Sequence, residues 1–268
     1  MKRRRFIESS GLLGTLSMLP ASQAAPQPST TGKIFVLVHG AWHGAWTWDR
    51  LIPHLRAAGH DARALTLAGV GERIGEMSTR IDLETHIGDV VTFVRTQDLR
   101  RVVLVGHSYG GYPVTAAAER LAGEGRIDAV AYLDAFVPSN GERMLDYLDA
   151  DGRRQLESAH RAGDARWPKL PAKFFGLSTQ ADIDYVDAHL TDHPNGTYLQ
   201  PVRLARPPGS GIARRIYIAS QAPALTVLDR QKALLQRDES WHYAEIQAGH
   251  DAMVDHSETL ARLLLAAA

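Results

Sequence analysis

Five residues, Gly106-His107-Ser108-Tyr109-Gly110, form a G-x-S-x-G pentapeptide. A serine hydroxyl is a weak nucleophile until a neighbouring base takes its proton. The flanking sequence suits such a role. Val102-Val103-Leu104-Val105 precedes it and reads as a buried strand. Tyr112 to Ala122 follows and reads as a helix, with Pro113 in the first turn, where a missing N–H costs little. Strand, tight turn and helix together hold the serine in a strained conformation, its hydroxyl exposed at the carboxyl end of the strand. Glycines two residues before and after let strand and helix pass closely. The plainer alternative is a Gly/Ser-rich turn with no chemistry, and the flanking elements argue against it.

In this arrangement the partners follow in the order nucleophile, acid, histidine. Among the 12 histidines, His250 in Ala248-Gly249-His250-Asp251 falls in a turn between the last apolar strand and the final helix, and is the expected base. His242 falls within that strand and His256 at the start of the helix, while His54, His60 and His86 read as surface residues. The acid is less direct. Its usual place follows the strand ending near Ala219, but Ser220-Gln221-Ala222-Pro223-Ala224 holds no carboxylate. The nearest is Asp229, inside the next helix. One strand earlier, Asp134 closes Ala131-Tyr132-Leu133. A carboxylate there is costly unless something pairs with it, and His250 would be such a partner. Asp134 is therefore the expected acid, with Asp229 or a water as alternatives, and a local turn cap as the non-catalytic reading of Asp134.

A tetrahedral intermediate needs two backbone donors for its oxyanion. Tyr109, directly after the serine, supplies one, and Ala41, in the loop after the first strand, supplies the other. Trp42 is a candidate pocket residue, whereas Trp46 and Trp48 read as core filler. His39 and His43 have a metal-like spacing but no third ligand nearby, so no metal is expected. The chemistry needs no organic cofactor.

These residues require a particular scaffold. Lys33 to Val38 is a continuous apolar run and reads as a central parallel strand. Further strands read at 61–67, 127–133, 215–219 and 241–247, and helices at 48–58, 82–95 and 257–268. Strands alternating with helices predict an α/β fold, with a mostly parallel sheet covered on both faces. From about 137 to 211 the strand runs vanish and short helical pieces alternate with Pro and Gly breaks. That is too long for a plain loop and reads as an inserted helical cap. Residues 33–268 then make one domain.

Ahead of it, Lys2-Arg3-Arg4-Arg5-Phe6-Ile7, a short apolar run and Ser22-Gln23-Ala24 read as an export signal over 1–24, twin-arginine-like, with a linker over 25–32. The expected address is periplasmic or secreted, and the apolar run is too short for a stable membrane span. Thirty basic residues balance thirty acidic ones, which gives no reason to expect nucleic acid as a partner. There is no cysteine, hence no disulfide and no thiolate chemistry. Oligomeric state is not legible.

Phe35-Val36-Leu37-Val38-His39-Gly40-Ala41-Trp42-His43-Gly44-Ala45-Trp46 and Val103-Leu104-Val105-Gly106-His107-Ser108 resemble the α/β-hydrolase superfamily, in the branch of plant methylesterases, polyneuridine-aldehyde-type esterases, hydroxynitrile lyases and bacterial esterases. The likeness runs from about 34 to 138, resumes near 216, and is weak between. It implies Ser108 as nucleophile, His250 as base, and Ala41 and Tyr109 as oxyanion donors. Two departures stand out. The branch places its acid near Pro223, where this chain has none. Ala131-Tyr132-Leu133-Asp134-Ala135 is instead similar to haloalkane dehalogenases and zearalenone-lactonase-like enzymes, which carry the acid there. Hydroxynitrile lyases have a threonine where Gly40 stands and a lysine where Asp251 stands, so lyase activity is disfavoured. The expected function is a serine esterase acting through an acyl-enzyme on a small to medium, moderately apolar ester. A C–C lyase or hydrolase, or a receptor that has lost turnover, are the alternatives.

Overall fold

A computed structural model describes residues 32–268, so the proposed signal and most of the linker lie outside the described residues. In chain order the elements are β1 (Ile34–Val38), α1 (Ile52–Ala57), β2 (Asp61–Leu65), α2 (Leu83–Thr96), β3 (Val102–His107), α3 (Gly111–Ala122) and β4 (Ile127–Leu133). There follow α4 (Ala150–Arg161), β5 (Arg166–Trp167), α5 (Gln180–His189), β6 (His193–Pro194) and α6 (Gly196–Leu199). The chain then returns with β7 (Arg214–Ser220), α7 (Asp229–Gln236), β8 (His242–Ile246), α8 (Ala252–Asp255) and α9 (Ser257–Ala267).

Six strands form one sheet in the order β2-β1-β3-β4-β7-β8, and every pairing within it is parallel. The apolar runs explain why. Successive side chains of a strand point to opposite faces, and in β1 both faces are buried. Val36 and Val38 enter one apolar cluster with β3, α2 and α3. Phe35 and Leu37 enter another with α8 and α9. Only a sheet covered on both sides takes up such a run. The start of α2 is fixed locally, since the Asp82 carboxylate accepts the Thr85 N–H at 2.9 Å.

The chain leaves β1 toward β2 on one side, then crosses back to β3 on the other. This reversal opens a crevice at the carboxyl ends of β1 and β3, the usual ligand position in such sheets. Register brings the ends level, with Val38 beside Gly106, His107 beside Leu133, and Ser220 beside Ile246. Between β4 and β7 the chain adds no strand to this sheet. It does contain a small antiparallel ribbon, β5 with β6, which the loss of apolar runs in that stretch did not foretell. Two-residue strands carry no readable periodicity.

Candidate active site

Ser108 lies directly after β3 with φ +51°. That left-handed conformation is costly for any residue with a Cβ, and here packing imposes it. A Cβ on Gly106 would lie 2.8 Å from the Gly110 carbonyl oxygen, and one on Gly110 would lie 2.6 Å from that of His39. Strand, turn and β1 loop thus meet at contacts that only glycine permits. Ser108 opens onto a cavity of about 400 Å³, whose wall also contains Ala41, Tyr109, Trp42 and His250.

His250 reaches the same place from the loop after β8. His107, next to Ser108, sets its Nε2 3.0 Å from the His250 carbonyl oxygen, and the two rings lie 4.5 Å apart. On the far side of the His250 ring, Nδ1 is 2.7 Å from Asp134 Oδ2. A carboxylate is acceptor-only, so Nδ1 donates and Nε2 is left as the basic nitrogen.

Asp134 follows β4 and is fully buried, with φ +41°. Its second oxygen receives the Lys232 ammonium at 2.6 Å and the Ser220 N–H at 3.2 Å. Because β4 is the neighbour of β7, this carboxylate crosses to the end of β7, where Ser220 has no acid to offer. Burial would raise the Asp134 carboxyl, but the His250 hydrogen bond and the His250 and Lys232 charges hold it below its ordinary value. Asp229, the alternative acid, is exposed at the start of α7.

Buried imidazoles shape the loop after β1. His39 Nδ1 lies 2.7 Å from the Gly40 carbonyl oxygen, and its Nε2 accepts the Leu67 N–H at 3.1 Å. In a trans peptide the C=O and N–H point opposite ways. Anchoring the Gly40 carbonyl therefore aims the Ala41 N–H away from His39. His39 is buried, and desolvation lowers its pKa to about 3, so it is neutral. Trp42, at φ +67°, gives its N–H to His193 Nδ1 at 3.3 Å and its indole N–H to the Trp167 carbonyl at 3.2 Å. Trp48 is buried in the core, while Trp46 is only partly buried and stacks on His43.

His86 is a correction. Its type and position read as surface, yet it is fully buried, with Nε2 2.9 Å from the Ala68 carbonyl and Nδ1 2.8 Å from the Tyr109 hydroxyl. It sits on the core face of α2 and anchors the side chain that follows the serine. Lys232 was also illegible as a site residue. A lysine in Asp229-Arg230-Gln231-Lys232 reads as solvated, and no local signal marks an acid one strand away.

A model of the alpha/beta hydrolase family matches residues 35–263. The chain belongs to that family. This hydrolase is 34% identical over 241 residues to a carbendazim hydrolyzing esterase of Nocardioides sp. (strain SG-4G), covering 87% of this chain and 98% of that one. It is 30% identical over 253 residues to a putative methylesterase of Arabidopsis thaliana, covering 87% and 96% respectively. Among solved structures it is similar to an Arabidopsis methylesterase, with TM-score 0.70, 25% identity and coverage of 88% of this chain and 98% of that one. An extracellular alpha/beta-hydrolase from a Paenibacillus species aligns with TM-score 0.72 at 21% identity, covering 88% and 98%. Among the described residues of the hydrolase no helix is long and apolar enough to cross a membrane.

Proposed function

We propose that this protein, a serine-dependent carboxylic ester hydrolase, cleaves neutral, moderately apolar esters with Ser108, His250 and Asp134 as its triad. The observation that carries the reading is the 2.7 Å contact between Asp134 and His250 Nδ1 beside a cavity that also holds Ser108. Ser108 Oγ attacks the ester carbonyl while His250 Nε2 takes its proton. The Ala41 and Tyr109 N–H groups receive the oxyanion. His250 returns the proton to the departing alcohol, and water then releases the acid from Ser108 by the same route.

The cavity wall supports the substrate class. Outside the proposed machinery it is mostly apolar and aromatic, with Phe136, Trp167, Phe175 and Tyr198 among its residues, and no lysine, arginine, aspartate or glutamate lines it. An ester with a neutral aromatic or aliphatic acyl group and a small alcohol suits it, in keeping with relatives named as methylesterases and a carbendazim hydrolyzing esterase. Residues from about 137 to 211 act as the cap, contributing Met144, Trp167 and Phe175 to the wall. A Cβ at Gly40 would lie 2.9 Å from both Ser108 Cβ and His107 Nδ1, so the threonine of the lyases has no room. Asp134, bonded to His250 and to the Ser220 N–H, supplies a carboxylate where the stretch near Pro223 has none, which supports turnover over a receptor that has lost it. Residues 1–24 direct export of the folded enzyme, in line with their arginine-rich start and an extracellular relative.

The deciding experiment compares wild type with Ser108→Ala on short p-nitrophenyl esters and with a fluorophosphonate probe. Wild type turns over and is labelled, and the variant does neither. Turnover retained by Ser108→Ala eliminates the mechanism.

A further inference from the structure

The turn that carries His250 also carries a second buried acid, and the loop that carries Ala41 also carries a second buried ring. Asp251 and His43 are both essentially inaccessible, and Asp251 Oδ2 lies 3.0 Å from His43 Nε2. The other ring nitrogen, Nδ1, lies 2.7 Å from the Ala41 carbonyl oxygen. A carboxylate and a peptide carbonyl can only accept, so both ring nitrogens donate. Burial disfavours that charge, but the Asp251 carboxylate outweighs it and raises the His43 pKa above its ordinary value. Asp251 cannot double as the triad acid, because Nδ1 of His250 is already held by Asp134.

The site of this grip is telling. The Ala41 carbonyl belongs to the peptide unit next to the one whose N–H is the proposed oxyanion donor. The unit joins Ala41 to Trp42, whose φ of +67° is costly for a tryptophan and must be imposed from outside. Gly40 is anchored by His39 and the Trp42 N–H by His193. Of these three rings, His43 is bonded to the residue following the proposed base.

We propose that His43 and Asp251 form a positioning pair that holds the Ala41 loop against the His250 turn, so that the oxyanion donor and the base keep one fixed geometry. The proposal rests on the acyl-enzyme reading of the site. The His43 ring borders the cavity that holds Ser108, but both its nitrogens are engaged, by the Ala41 carbonyl and by Asp251, and neither is free for the substrate. The pair acts through the backbone of Ala41, and its effect is felt where charge develops in the transition state rather than in substrate binding.

The test measures kcat and KM on a p-nitrophenyl ester for wild type, Asp251→Ala and Asp251→Asn. A displacement of about 1 Å at a catalytic group costs on the order of 100-fold, so Asp251→Ala should lower kcat by roughly 30- to 100-fold with KM little changed. An asparagine amide still grips the ring, donating to Nε2 while Nδ1–H stays on Ala41, so Asp251→Asn should recover most of the loss. The proposal is overturned if Asp251→Ala matches wild type, if only KM moves, or if Asp251→Asn falls as far as Asp251→Ala. Should Asp251→Ala not fold, the ring 15N–1H signals of His43 in wild type decide, since an unprotonated Nδ1 also overturns it. A wild type that neither hydrolyses esters nor takes the fluorophosphonate defeats the acyl-enzyme reading instead, a separate result from any of these.

Discussion

Oδ2 of Asp134 lies 2.7 Å from Nδ1 of His250, although 116 positions of chain separate them. The pair spans three neighbouring strands, β4, β7 and β8, and closes over the end of the middle one. Its role in selecting the tautomer leads to a direct comparison. Asp134→Asn should lower kcat by about 10³- to 10⁴-fold, because an amide favours the wrong tautomer of the ring. Asp229→Asn, at an exposed position on α7, should leave kcat unchanged. Steady-state rates for the two variants settle the choice, and the opposite ranking would make Asp229 the acid.

Ser108 carries backbone strain as well as the proposed nucleophile. Glycine tolerates φ +51° without the Cβ penalty. Ser108→Gly should therefore abolish hydrolysis and at the same time stabilise the fold by about 1 kcal/mol, or about 2–4 °C in Tm for a domain of this size. Thermal unfolding of the inactive variant measures it. A lowered Tm would mean that the turn gains more from the serine side chain than the strain costs.

Lys232 is a buried cation with a defined task. Its Nζ bonds both Asp134 Oδ1 at 2.6 Å and the Ser220 carbonyl at 3.0 Å. Removing one partner of a buried ion pair commonly costs about 3–5 kcal/mol, because the other charge is left behind. Lys232→Met should lower Tm by on the order of 10 °C, while His250 keeps its partner and kcat falls far less than in Asp134→Asn. Equal losses of kcat in the two variants would give Lys232 a part in the chemistry itself.

Stability should fall on mild acidification. Desolvation lowers the buried rings of His39 to about 3 and His86 to about 4, and holds His107 and His193 well below 6.5. Above pH 6.5 these rings are neutral in both the folded and unfolded chain and contribute no pH dependence. Below it the unfolded chain takes up protons that the folded chain refuses, so each ring removes about 1.4 kcal/mol per pH unit until it titrates in the fold. His43 runs the other way. Its raised pKa adds stability below 6.5 that is lost as the pH rises through its folded value. Below 6.5 that contribution is constant, so the four lowered rings set the slope and stability declines between pH 6.5 and about 4. Urea midpoints across that interval measure it, and a flat profile would mean the rings are solvated.

The sequence by itself determined the strands of the main sheet, the helices that cover it and the order of the candidate site residues along them. Unbroken apolar runs such as Ile34–Val38 have only one stable place, inside a sheet covered on both faces, and a G-x-S-x-G between strand and helix has few other uses. Local pattern therefore named Ser108, His250 and the Ala41 loop as candidates, and the fold brings them to one cavity. From its own residues Asp134 could be argued as an unpaired cost in search of a partner, and beyond that by its likeness to dehalogenases. Its answer, a strand neighbour that lets it reach past Ser220, depended on the order of strands in the sheet. Lys232, His86, His43 and Asp251 were beyond local reading for the same reason. A charged or polar side chain looks solvated along the chain, and only contacts between distant segments reveal it as buried and paired.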